Sequence, residues 1–173
     1  MWFVAVGEPC FVTGMADGHF SPTVLTDLSS GGSLLVIGFR ASMHGRNPAS
    51  CVYALFANTL GEDARPVLRD IAQFSEIVAD ECRRHVCTMA PESGVLTDDE
   101  VRVLCVFSAA QAWDRAAMQA HLEALLGIGS PRRIVSLVTN IADALAGLGL
   151  AIHAPAGARR VPHAMTPAFQ LRF

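Results

Sequence analysis

The sequence predicts a mainly α-helical protein: a bundle of five or six helices with an irregular or partly β N-terminal arm and an extended C-terminal tail. Three observations predict this class. Apolar residues recur every three to four positions, as on one face of a helix. Ser, Thr, Asp and Asn stand where these patterns start, and such residues cap helices. Glycines stand where the patterns end. We therefore divide the chain into an arm over residues 1–32, a helical bundle over 33–150 and a tail over 151–173.

The predicted arm consists of short apolar or β-branched runs. Turn-forming residues break it at positions 7–9 (Gly-Glu-Pro), 16–18 (Ala-Asp-Gly) and 21–22 (Ser-Pro). Three short strands or an extended segment packed on the helices would both give this pattern. The packed segment is favoured, because three short strands rarely stand alone.

The first half of the bundle contains three predicted helices. Residues 33–43 are apolar nearly all round, which indicates a buried helix, although the run LLVIGF also fits a buried strand. Asn47-Pro48 then gives a cap followed by proline, and a helix runs to Gly61. Its predicted inner face is Val52, Leu55, Phe56 and Leu60. Asp63 is the predicted cap of the next helix, which ends at Arg83 or Arg84 and has the inner face Val67, Ile71, Phe74 and Val78.

The second half begins with a helix pair over residues 97–127, after a loop over 85–96. Thr97 and Glu100 have the spacing of a capping box, and Asp98 and Asp99 add negative charge at the positive end of the helix dipole. Asp114 is the predicted cap of the second helix of the pair, and Gly127 is its stop.

A last helix follows the cap-and-proline pair Ser130-Pro131. Its inner face is Ile134, Leu137, Val138, Ile141, Leu145 and Leu148. Asn140 and Asp143 argue against a membrane span here, since a charge at the bilayer centre costs about 2.5–3.5 kcal/mol. We predict a buried helix and no membrane span.

Composition excludes several classes of function. All 13 basic residues are arginines, so Schiff-base lysines and P-loop lysines are absent. The net charge of −3 argues against general nucleic-acid binding. Glu8 appears early, with no basic residue before it, so we expect no secretory signal, reduced cysteines and a cytoplasmic location. The arginine bias, with abundant Ala, Gly and Val, is typical of a GC-rich bacterial genome.

One cluster carries potential chemistry. Cys82, His85 and Cys87 offer two thiols and an imidazole within six residues, which is enough for three zinc ligands; we call it the thiol–imidazole cluster. A zinc site usually needs a fourth ligand, and no second CxxC or HxxxH pair supplies one. The alternative is a pair of half-buried cysteines at a helix end. His121, on the second helix of the pair, is predicted to be a core-edge histidine.

From residue 34 to about 150 the pattern resembles a family of short bacterial helical proteins classed as a domain of unknown function. The matching features are His44-Gly45, Arg65-Pro66, Arg83-Arg84 before a Met-Ala-Pro turn, Thr97 with Glu100, and Leu125-Leu126-Gly127. The resemblance implies a helical fold and no activity. In that family cysteines follow the Ala-Pro of the turn, whereas Glu92 and Ser93 follow it here.

The sequence favours a non-catalytic interaction or regulatory module that binds itself or another protein. Only 17% of the residues are charged, which leaves little polar surface for a monomer. Residues 1–32 carry only acids and residues 151–173 only arginines, so these segments can pair. The alternative is a metal- or cofactor-binding protein, possibly an enzyme, that uses Cys82, His85 and Cys87; otherwise we expect no cofactor.

Overall fold

The computed structural model describes residues 23–45, 50–129 and 132–155. Six α-helices make up most of this part of the chain: α1 (Ser30–Met43), α2 (Ser50–Leu60), α3 (Ala64–Glu81), α4 (Asp98–Gln111), α5 (Arg115–Leu126) and α6 (Arg132–Gly147). Short 3-10 helices precede α1 (Leu25–Asp27) and α3 (Gly61–Asp63). The mainly α-helical class is confirmed.

The start of the described chain lies against the loop before α4. The Leu25 N–H donates to the Gly94 carbonyl at 2.7 Å, and the Leu96 N–H donates to the Thr23 carbonyl at 3.0 Å. These bonds surround a single antiparallel β-bridge, which is the β structure found among the described residues. Residues 1–22, the rest of the predicted arm, lie outside the described residues.

Helix α1 begins three residues before its predicted start. The Ser29 hydroxyl accepts a hydrogen bond from the Gly32 N–H at 3.3 Å, so Ser29 is the N-cap. Residues 30–32 therefore belong to the bundle. The run LLVIGF is helix and not strand, and a glycine in it lets α1 pack closely on its neighbours. A Cβ at Gly38 would come within 3.0 Å of Phe56 and 3.3 Å of Ile71.

Helix α2 packs on α1 and α3 through Phe56 and Leu60, which are buried. The predicted inner position of Leu55 is wrong, because 40% of this residue is exposed. Successive helical residues are about 100° apart, so a core side centred on Phe56 and Leu60 turns Leu55 outward. The predicted start at residues 47–48 lies outside the described residues.

Helix α3 carries the predicted inner face, and Val67, Ile71, Phe74 and Val78 are all buried. The predicted side-chain cap by Asp63 is wrong. Asp63 continues the 3-10 helix with φ −75° and ψ −8°, whereas an N-cap residue needs an extended backbone to reach back to the first turn. The helix ends at Glu81, two or three residues before the predicted end, and Cys82 is extended.

Helices α4 and α5 form the predicted hairpin. The capping box at the start of α4 is present, and the Asp114 carboxylate accepts from the Ala117 N–H at 2.9 Å to cap α5. Gly127 ends α5 in the left-handed conformation, with φ 71°.

The turn between α4 and α5 places a tryptophan where glycine is usual. Trp113 has φ 57° and is 80% exposed. The Asp114 N–H donates to the Ala109 carbonyl at 2.9 Å, and the Trp113 N–H donates to the Ala110 carbonyl at 3.0 Å. This is the Schellman pattern, whose left-handed residue is normally glycine. The end of α6 has the same two bonds around Gly149, with φ 73°.

The chain after α6 returns to the bundle. Ile152 is 3% exposed, and its N–H donates to the Gln111 Oε1 atom at 2.7 Å. The Gln111 Nε2 atom donates to the carbonyls of Ala142 at 3.2 Å and Leu150 at 3.1 Å. The first residues of the predicted tail are thus fixed to α4 and to Ser29, whose hydroxyl donates to the Ala151 carbonyl at 2.6 Å. Residues 156–173, the rest of the predicted extended tail, lie outside the described residues.

The core holds most of the predicted inner positions of α6, namely Ile134, Leu137, Val138, Ile141 and Leu145. Leu148 lies beyond the end of the helix and is 40% exposed. Three phenylalanines connect α1, α3 and α4: the ring centroids of Phe39 and Phe74 are 5.9 Å apart, and those of Phe74 and Phe107 are 5.2 Å apart, edge to face. Across the described ranges, no helix is both long and apolar enough to span a membrane.

Candidate functional site

An arginine and a glutamate are buried together between α1 and α4. Arg40 and Glu100 are both 0% exposed. The Arg40 Nε atom donates to Glu100 Oε1 at 2.7 Å, and Nη2 donates to Oε2 at 2.9 Å. Both carboxylate oxygens are therefore bound by one guanidinium, which is the strongest geometry for this pair of groups.

The same guanidinium fixes the loop before α4. Its remaining N–H groups donate to three backbone carbonyls: Ser93 at 2.7 Å, Val95 at 2.6 Å and Ala90 at 3.5 Å. Five donors thus meet five acceptors, so no donor of Arg40 is left for a ligand. We call the contacts of Arg40 and Glu100 the buried tether.

Glu100 has a second role at the start of α4. Its carboxylate accepts from the Thr97 N–H at 2.9 Å and from the Met89 N–H at 3.0 Å. The Thr97 hydroxyl accepts from the Glu100 N–H and donates to the Cys87 carbonyl at 2.8 Å. The capping box and the tether therefore share one carboxylate, which ties α1, the loop and α4 together.

Two further contacts fix the loop at its edges. Asp99, which is 5% exposed, accepts from both terminal nitrogens of Arg84 and from the Cys87 N–H at 2.9 Å. The hydrogen bond to the Asp99 carboxylate raises the pKa of Arg84, so this guanidinium stays charged. On the α1 side, the His44 Nε2 atom lies 3.0 Å from the Met89 carbonyl.

The residues of the thiol–imidazole cluster differ in exposure, and a buried residue, Val86, separates His85 from Cys87 in the chain. Val86 is 9% exposed, whereas His85 is exposed and Cys82 and Cys87 are half-buried. The Cys82 thiol donates to the Leu125 carbonyl at 3.2 Å. Within the part of the chain that the structure describes, no three His, Cys, Asp or Glu side chains converge as metal ligands would. The zinc site at Cys82, His85 and Cys87 stays a prediction.

His121 and Cys105 lie on α5 and α4, where both are influenced by Arg102. The His121 Nδ1 atom is buried without a hydrogen-bond partner in the described structure. Burial lowers the pKa of His121, and the positive charge of Arg102 lowers it further. Burial raises the pKa of the Cys105 thiol, which favours the protonated form of this core residue.

One surface lacks charge altogether. Helix α2, with the sequence SCVYALFANTL, has no acidic or basic residue. Its side opposite the core consists of Cys51, Ala54, Leu55 and Asn58, all exposed, at the spacing of one helical face. We call these four residues the α2 outer face. Nearby, the Arg65 guanidinium lies 5.7 Å from the centroid of the Tyr53 ring and its Nε donates to the phenol oxygen.

A shallow cavity of about 340 Å³ opens beside α5 and α6. Arg115, Gln119, Arg132, Val135 and Ser136 line it. Its two arginines are exposed, which gives the cavity a positive charge.

No family model, curated protein or solved structure matches this chain. The resemblance to a family of short bacterial helical proteins therefore stays a prediction.

The sequence reasoning missed the residue at the centre of the tether. Arg40 is the one charge in the apolar run SLLVIGFRASM, and a buried arginine requires an acidic partner. A single charge within an apolar run is therefore the sequence signal that identifies Arg40 as half of a buried ion pair. The sequence places Glu100 in the capping box, and only the fold shows that it also pairs with Arg40.

Proposed function

We propose that this protein is a non-catalytic, cytoplasmic interaction module that associates with itself through the α2 outer face. The observation that carries the proposal is an exposed helix without charge. Exposed apolar patches are common at protein–protein contacts, and a helical face without charge favours such a contact. Leu55 stands at its centre with 40% of its surface exposed.

The interior supports the non-catalytic part of the proposal. Arg40 and Glu100 are ionisable groups of the kind that enzymes use, yet both are fully buried, and the N–H groups of Arg40 all donate to Glu100 or to carbonyls of the loop. A catalytic acid or base must reach its substrate within hydrogen-bond distance, and this pair cannot. The net charge of −3 supports a protein partner over nucleic acid.

Sedimentation velocity over a range of protein concentrations tests the proposal. We expect the mass of the wild-type protein to rise with concentration, and Leu55→Arg to remain a monomer. The matched control is Leu148→Arg, because Leu148 is also 40% exposed and lies after α6. It should associate as the wild type does. A wild-type monomer at every concentration, or equal loss in both variants, contradicts the proposal.

The metal-binding alternative at Cys82, His85 and Cys87 stays a prediction, because no contact among the described residues favours it.

A further inference from the structure

The cavity beside α5 and α6 collects positive charge from both helices. Arg115 and Gln119 lie one turn apart on α5, and Arg132, Val135 and Ser136 lie on one side of α6. We propose that this cavity binds a dianionic phosphate group, either free phosphate or the phosphate of a small ester. It is built on other helices than the α2 outer face, so the site is independent of the proposed self-association.

The two guanidinium groups of the cavity have no protein partner in the described part of the chain. The ion pairs found there involve Arg40, Arg69 and Arg84, and the side chains of Arg115 and Arg132 make no hydrogen bond to a described residue. A guanidinium presents a planar fork of donors that matches the oxygens of a phosphate. Two of them supply the charge that balances a dianion.

The other groups around the cavity do not oppose an anion. Among the described residues that line it, none is acidic. Asp114 precedes Arg115, but its carboxylate accepts from the Ala117 N–H at 2.9 Å and so caps α5. The half-buried Gln119 offers amide N–H donors, whereas the Ser136 hydroxyl donates to the Arg132 carbonyl at 3.2 Å. The cavity therefore offers an anion donors from three side chains.

The position of the two arginines adds to the positive potential. Arg115 is the first residue of α5, and Arg132 is the first residue of α6. The start of a helix carries partial positive charge, so a cation is unfavourable there and an anion is favourable. A dianion bound between the two arginines would offset this repulsion at both helices.

The size of the cavity limits the ligand. Its volume of about 340 Å³ lies near the lower end of the roughly 300–1,000 Å³ that is usual for small-molecule sites. A phosphate group with a short organic part suits this volume, and Val135 provides an apolar contact for that part. A long polyanion is disfavoured by the net charge of −3.

A nuclear magnetic resonance titration of the full chain tests the site, with inorganic phosphate and glycerol phosphate as probes at constant ionic strength. Each probe should bind saturably and shift the Nε–H signals of Arg115 and Arg132 together. Arg115→Gln or Arg132→Gln should weaken binding by about tenfold, because a charge-assisted hydrogen bond is lost.

The matched control is Arg133→Gln. Arg133 is exposed and follows Arg132 in α6, but it does not line the cavity. Its replacement removes the same charge at the same end of the helix, so it should weaken binding by less than about threefold, as expected for a screened surface charge. Circular dichroism should show wild-type helix content in all these variants, because the replaced side chains are exposed.

The outcomes separate the ligand sources and the two proposals. Tighter binding of glycerol phosphate supports an ester as the ligand, and equal or tighter binding of inorganic phosphate supports free phosphate. No saturable binding of either probe overturns the site. Equal losses in Arg132→Gln and Arg133→Gln also overturn it, because binding would then come from diffuse surface charge. Leu55→Arg should bind both probes as the wild type does, so self-association and phosphate binding can fail separately.

Discussion

Replacing Arg40 with methionine should destabilise the protein by about 3–5 kcal/mol, as when one partner of a buried ion pair is removed. Methionine keeps much of the aliphatic stem, so the loss comes from polar groups. The Glu100 carboxylate would remain at 0% exposure without its counter-ion. The carbonyls of Ser93 and Val95 would lose the short hydrogen bonds from the guanidinium. This loss is a large part of the roughly 5–15 kcal/mol that holds a typical domain folded.

Urea unfolding followed by circular dichroism measures the cost. A double-mutant cycle separates the pair from the rest of the tether. Glu100→Gln keeps an acceptor for the backbone while removing the charge, and Arg40→Met/Glu100→Gln leaves neither charge buried. We expect the double variant to lose less stability than the sum of the two single variants, by about 1–3 kcal/mol.

An exposed ion pair provides the control. Arg69 lies 3.3 Å from Asp70, and its side chain is 76% exposed. Arg69→Met should cost no more than about 1 kcal/mol. Native-state hydrogen exchange adds a local readout, because the amides of Met89 and Thr97 bind the Glu100 carboxylate. Arg40→Met should accelerate their exchange more than that of the α5 amides. A cost below about 1 kcal/mol, with additive single variants, would refute the tether.

Three further predictions concern other parts of the chain. Trp113→Gly should raise the free energy of unfolding by about 1 kcal/mol, since a left-handed non-glycine residue costs about 1–2 kcal/mol and this side chain buries little. Urea unfolding measures the change. A loss of stability would show that the indole makes a stabilising contact. The lowered pKa of His121 means that the unfolded chain takes up the proton more readily. The contribution of His121 to stability should therefore be constant at pH values above 6.5, the ordinary pKa of histidine, and fall as the pH drops below that value. His121→Leu should remove this part of the dependence of stability on pH, whereas the control His85→Gln, at an exposed position, should keep it. Elemental analysis tests the thiol–imidazole cluster as a metal site. One zinc ion per chain that is lost in Cys82→Ser would support the site. Metal-free protein that binds no added zinc would contradict it.

Local signals in the sequence located most helix ends. The capping box at Thr97 and the left-handed stop at Gly127 are encoded in contiguous residues, so they are visible without the fold. The inner face of α3 was likewise set by its own period.

Long-range features were not accessible in this way. Arg40 and Glu100 are 60 positions apart, and only the packing of α1 on α4 brings them together. The orientation of α2 depends on where α1 and α3 lie, so the helical period alone predicts the wrong side for Leu55. Asp63 failed as a cap because the preceding 3-10 helix runs into α3 without an extended residue. In each case the environment, and not the local pattern, decided the outcome.

The close approach of the segment after α6 to Gly31 limits where the chain can be truncated. A methyl group there would lie 2.8 Å from the carbonyl oxygens of Leu150 and Ala151, so the segment after α6 packs directly on the first turn of α1. An expression fragment that stops at residue 150 would discard Ile152 from the interior. A fragment that keeps this part of the fold must therefore extend beyond Ile152.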